Sequence, residues 1–142
     1  MPQSQQPAPV AAAAAPGAER TFLRPAKGAV LARFDGQRSK GVDFGGVEGD
    51  PVYAARGGKV VYSGNGLRGY GRLLLIKHDA TFVSAYAHNS ELLVKAGQTV
   101  KRGQLVARMG STDADRVMLH FELRRQGKAV DPMGYLAESP SP

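Results

Sequence analysis

The 142-residue sequence predicts a mainly β fold, a strongly curved antiparallel sheet or sandwich of the duplicated hybrid-motif kind. Three observations carry that expectation. Short runs of aliphatic, β-branched and aromatic residues recur along the chain, glycines separate many of them, and no stretch sustains a helical period. The clearest runs are residues 59–63, 73–77, 82–86 and 104–108, followed by the alternating positions Leu119, Phe121 and Leu123. Glycine occupies 18 positions, which suits a β domain with tight turns.

In chain order, residues 1–21 are built from Pro, Gln, Ala and Ser and read as a disordered linker, because they cannot bury enough apolar surface to offset ordering entropy. Residues 11–15 are all Ala, yet Pro16 and Gly17 stop so short a helix before it can nucleate. Residues 22–137 are expected to form the folded domain, and 138–142 a loose tail. Within the domain, residues 49–60 and 94–106 share a Gly-x-x-Val-x-x-x-x-Gly-like frame. Biotinyl and lipoyl carrier domains use a similar turn-strand unit. They also carry Met-Lys-Met or Asp-Lys-Ala at a hairpin tip, and neither tripeptide occurs here.

Composition narrows the function classes. With 42% hydrophobic residues the chain has enough apolar side chains for one core. It has no Cys, so disulfides drop out and the redox compartment stays open. No apolar run approaches the about 18 residues of a membrane span, and residues 1–18 lack the basic start and apolar stretch of a secretory signal. The formal charge of +7 sits on the domain, since Glu19 and Arg20 cancel. Nucleic acid, anionic lipid, cell-wall polymer and an acidic protein all suit a basic surface. Basic residues interleaved with stacking aromatics are not seen, which argues against nucleic acid.

The segments Ser39-Lys40-Gly41-Val42-Asp43, Leu67-Arg68-Gly69-Tyr70-Gly71, Tyr86-Ala87-His88-Asn89, Met109-Gly110-Ser111-Thr112 and Met118-Leu119-His120-Phe121-Glu122 carry the most specific signal. Across residues 27–136 they resemble the LytM/lysostaphin-like zinc metallopeptidases. In that family a His-x-x-x-Asp pair and the second His of a His-x-His hold the metal, while two further His assist catalysis. The resemblance places Asp43 and His120 at two ligand positions and His88 at one catalytic position. It also places Ser39 at the first ligand and Met118 at the first His of the His-x-His.

A hydroxyl is a poor zinc ligand beside an imidazole, and a thioether carries no proton near neutral pH. A hydrolytic zinc needs three protein ligands and an open position for water. Asp113 and Asp115 precede Met118, but their spacing does not point to a metal. The resemblance therefore implies a pseudoenzyme with no metal and no cofactor, most similar to the NlpD branch of murein hydrolase activators; the related EnvC branch shares the defect. For that branch it implies binding and activation of a periplasmic zinc N-acetylmuramoyl-L-alanine amidase during cell division. The resemblance also implies peptidoglycan as a second candidate ligand, with outer-membrane anchoring only through a segment absent from this chain. The rival readings are a residual zinc endopeptidase and a passive peptidoglycan-binding module.

The expected partner groove contains Arg68, Tyr70, Tyr86, His88, Met118 and His120. His78 is expected to be structural, Asp43 has the alternative of capping the Gly45-Gly46 turn, and Glu122 is expected on the surface opposite His120.

Overall fold

The computed structural model describes residues 22–137. The linker and tail expected at the two ends lie outside the described residues. Ten strands follow in chain order: β1 (Val30–Ala32), β2 (Val42–Gly45), β3 (Pro51–Tyr53), β4 (Gly58–Gly64), β5 (Arg72–Lys77), β6 (Phe82–Leu92), β7 (Thr99–Val100), β8 (Leu105–Met109), β9 (Met118–Arg125) and β10 (Lys128–Val130). A 3-10 turn, Pro132–Gly134, follows them and is started by the Asp131 carboxylate, which accepts from Met133 N. The antiparallel β expectation holds, and the five predicted runs coincide with β4, β5, β6, β8 and β9.

The strands pair in the order β1-β2-β9-β6-β5-β4-β7, all antiparallel. β10 returns along β9 as a hairpin, and β3 pairs with β8. β6 runs well past the predicted residue 86 because it serves two partners. Residues Phe82 to Ala87 pair with β9, and Asn89 to Leu92 pair with β8. Between them His88 adopts φ of 70°, a left-handed conformation that an L residue takes only at a cost of about 1–3 kcal/mol. That corner bends the sheet and lets one strand feed both layers.

Alternation then sorts the side chains. Val42, Phe44, Leu74, Ile76, Tyr86, Leu119, Phe121 and Leu123 point into one core. Opposite them lie Val52, Ala54, Val100 and Val106, from the two quasi-repeated segments, and the adjoining Ala107. The segments dock on each other through reciprocal bonds. Ala54 N donates to Gln104 O while Gly103 N donates to Ala54 O, and Val60 N donates to Gln98 O while Gly97 N donates to Val60 O. Phe22 closes the base, packing edge-on against Phe82 and His78 with the Arg56 guanidinium over its ring.

Candidate functional site

The other face of β9 carries Met118, His120, Glu122 and Arg124, because residues two apart on a strand share a face. Across β2, Asp43 is the direct partner of His120, and across β6, Ala87 is. The small Ala85 and Ala87 leave room above β6, while the intervening Tyr86 turns into the core. There its hydroxyl accepts from Ala55 N at 3.0 Å, and burial pushes it up to about 12.

His120 is the centre of the arrangement. Its Nδ1 lies 2.6 Å from Asp43 Oδ1 and its Nε2 lies 2.9 Å from Glu122 Oε2. Carboxylates only accept, so both ring nitrogens must donate and the ring is an imidazolium. Burial opposes that charge, but the hydrogen bonds and attraction of the two carboxylates prevail and hold His120 up at about 9. Glu122 is 1% exposed. Its burial alone would raise it, yet His120 and Arg124 hold it below the usual carboxylate range. Arg124 donates to Glu122 Oε1 through Nε at 3.0 Å and Nη2 at 2.6 Å. The Tyr70 hydroxyl donates to Oε2 at 3.1 Å.

Tyr70 arrives on the loop between β4 and β5, which is fastened to the loop before β9. Gly69 N donates to Asp113 Oδ2, Arg72 N donates to Thr112 Oγ1, and Thr112 Oγ1 donates to Asn89 O. His88 belongs to the same fastening. Its backbone N–H donates to Tyr70 O at 2.8 Å, and its Nδ1 donates to Thr112 O at 2.7 Å. The His88 and His120 rings lie with centroids 6.1 Å apart.

Of the expected groove residues, the structure brings Tyr70, His88 and His120 together. Met118 lies half-buried on the same strand face, between Gly45 and Gly110. Arg68 stands exposed on the loop. Tyr86 is corrected: fully buried on the opposite side of β6, it cannot line a groove. Glu122 is also corrected, since strand alternation places it beside His120 and not opposite. Asp43 binds His120 and does not cap the glycine turn; Asp50 Oδ2 accepts from Val47 N there instead.

His78 is structural. Its Nδ1 donates to Gly57 O and its Nε2 faces Ser84 Oγ, while burial pulls it down to about 4. Sequence reasoning missed Glu122 and Arg124 as members of the site. The two-residue spacing of 118, 120, 122 and 124 was the signal that would have found them.

The sequence model of peptidase family M23 matches residues 37–132, which is more than half of the chain. The chain belongs to peptidase family M23. The Pseudomonas aeruginosa lipoprotein NlpD/LppB homolog is 60% identical over 79% of this chain and 38% of its own length. The Escherichia coli murein hydrolase activator NlpD is 46% identical over 83% of this chain and 32% of its own length. This M23 chain thus spans about a third of the length of these two relatives. A zinc-containing peptidase from Vibrio cholerae superposes with a TM-score of 0.74 at 32% identity, covering 87% of this chain and 42% of that one.

The residues present here do not fit the zinc of such peptidases. Both nitrogens of His120 are committed as donors to carboxylates, and a metal needs a lone pair. Ser39 Oγ, which the resemblance sets at the first-ligand position, donates to Gly41 O at 2.8 Å. Among the described residues no group of three His, Cys, Asp or Glu side chains is placed to hold a metal ion.

Proposed function

We propose that this M23 domain is a non-catalytic activator that binds a periplasmic N-acetylmuramoyl-L-alanine amidase and promotes septal peptidoglycan splitting during daughter-cell separation. One observation carries the reading: His120, at the position of a metal-holding imidazole, is an imidazolium bracketed by Asp43 and Glu122. A ring in that state neither ligates a cation nor accepts a proton from water, so the chemistry that defines active members lacks its first requirement. The names of the relatives, murein hydrolase activator and NlpD/LppB lipoprotein, support activation and an envelope location. The periplasm is the compartment this reading proposes, and the lipoprotein name of the relative supports it.

Activation needs no chemistry of its own. A partner that binds only the open form of an autoinhibited amidase shifts its population by the differential affinity, and about 1.4 kcal/mol changes the ratio tenfold. Tyr70, Met118 and the exposed Arg68 are the proposed contacts on the groove rim. Arg and Tyr are common anchors in such interfaces, and a thioether adapts to an apolar partner.

The test is release of dye from labelled peptidoglycan by the amidase alone, the domain alone and both together. Release that depends on both supports activation. Release by the domain alone, stimulated by zinc, would restore the endopeptidase reading. Equal release with and without the domain would leave peptidoglycan binding as its role.

A further inference from the structure

The face of the sheet that carries His120 continues past the ion network, and the register assigns its side chains row by row. Tyr62 is opposite Leu75, Leu75 opposite Ala85, and Ala85 opposite Glu122, across β4, β5, β6 and β9. The next row holds Lys59, Lys77, Val83 and Arg124. Direct antiparallel partners project to the same side, so an apolar row adjoins a basic one.

Two features of this surface lack an internal explanation. Lys59 and Lys77 are direct cross-strand neighbours, an arrangement of like charges that destabilises a sheet. Both are exposed, and no carboxylate approaches either within 4.0 Å among the described residues. Arg124 is already paired with Glu122, so the uncompensated charge belongs to the two lysines. Beside them lies a hollow of about 200 Å³ whose walls include Leu67, Leu73, Leu75, Val83 and Ala85. Leu67 is 46% exposed at its edge. Leu67 and Tyr70 of the loop between β4 and β5 wall one side of it, and Leu73 and Ala85 within it are each 2% exposed.

We propose that these two rows form a docking surface for an acidic, apolar peptide segment of the partner hydrolase. An aliphatic side chain of that segment fills the hollow, and its carboxylates lie against Lys59 and Lys77. The proposal rests on the reading of the chain as a hydrolase activator and specifies where the hydrolase is held. Charge complementarity selects the occupant: two adjacent cations without an ion-pair partner among the described residues favour anions, and the hollow favours an apolar group within the same few residues. Five of the eight side chains that line it are aliphatic, and the other three, Tyr70, Glu122 and Arg124, already bond to one another, so the hollow favours an aliphatic group.

The experiment measures binding of the whole chain to the amidase, against ionic strength, for the unaltered protein, Lys59→Glu/Lys77→Glu and the control Lys27→Glu/Lys40→Glu, at the β1 and β2 end of the strand order. The control makes the same change of charge at exposed positions elsewhere. The first pair is expected to weaken binding roughly tenfold or more and to flatten its salt dependence, while the control stays near the unaltered value. The single change Lys77→Thr is expected to raise the unfolding midpoint, by ending the repulsion, while weakening the amidase. A purely structural lysine would not separate those two readouts.

Unchanged amidase binding by the Lys59→Glu/Lys77→Glu protein, with activation intact, overturns the docking surface and leaves the activator reading standing. An equal loss in the control reduces the effect to net charge and also overturns it. Loss of binding to soluble muropeptides in place of the amidase assigns the face to the wall and overturns the peptide proposal. Absence of amidase binding by the unaltered chain fails both readings before any variant is made.

Discussion

Asp43 and His120 face one another across β2 and β9, and their side chains meet at 2.6 Å between Oδ1 and Nδ1. The second nitrogen of the same ring meets Glu122 at 2.9 Å, so two carboxylates bracket one imidazole. The positive charge that joins them is a proton on the ring. Charges balance across the network, since Asp43 and Glu122 offset His120 and Arg124. This balance explains how a nearly inaccessible Glu122 stays ionised on a sheet with one core face.

Glu122→Gln removes the anion shared by His120, Arg124 and Tyr70. Breaking a buried, hydrogen-bonded charge set is expected to lower stability by about 2–4 kcal/mol. Met118→Leu, a volume-conserving change on the same strand face, is expected to cost less than about 1.5 kcal/mol. Urea unfolding midpoints measure both. A Glu122→Gln loss no larger than that of Met118→Leu would show that the network contributes little.

Stability is expected to peak near neutral pH, limited by a different histidine on each side. His120 is raised to about 9, so its contribution is complete below its unfolded value and disappears as the pH climbs through about 9. His78 is lowered to about 4, so the folded state is favoured above its unfolded value and loses about 3 kcal/mol as the pH falls through about 4. The hydrogen bonds show why. Gly57 O fixes the His78 proton on Nδ1, leaving Nε2 to accept from Ser84 Oγ, and a second proton would break that chain. Unfolding midpoints between pH 4 and 10 should show both limbs. His78→Gln should flatten the acid limb and His120→Gln the alkaline one; limbs unmoved by these changes would contradict the assignments.

Two glycines of the Tyr70 loop should respond differently to alanine. Gly71 has φ of +61°, and an added Cβ would run into Thr112, the residue that fastens the loop. Gly69 has φ of +92° but open space around its Cβ position. Gly69→Ala is expected to cost about 1 kcal/mol through its backbone alone, and Gly71→Ala more, together with weaker amidase activation. Equal effects on stability and activation would detach Thr112 from the positioning of Tyr70.

Arg68→Ala tests the proposed rim contact. The side chain is exposed and makes no ion pair among the described residues, so the fold and its unfolding midpoint should be unchanged within about 0.5 kcal/mol. Dye release in the presence of the amidase should fall. Full release would remove Arg68 from the contacts.

Much of the fold was legible because alternation and glycine spacing report local backbone, and β4, β5, β8 and β9 follow them closely. The length of β6 was not, because the left-handed His88 that allows the exchange of partners leaves no periodic mark. Asp43, His88 and His120 were picked out by the family resemblance, and ligand chemistry marked Ser39 and Met118 as poor partners for zinc. The role of Glu122 was hidden by an error of parity: neighbours at 120 and 122 share a face. Tyr86 was misplaced for the related reason that Ala85 and Ala87, one position away on either side, are the residues facing the site. The fastening through Thr112 and Asp113 joins loops distant in sequence, so no local pattern could announce it.

The most direct measurement is nitrogen NMR of the His120 side chain at pH 7, before and after addition of equimolar zinc. Two protonated ring nitrogens, unaffected by the metal and persisting until the pH approaches about 9, are expected. A deprotonated nitrogen at pH 7, or a zinc-induced shift that tracks stoichiometric binding, would contradict the claim that a proton holds this site together.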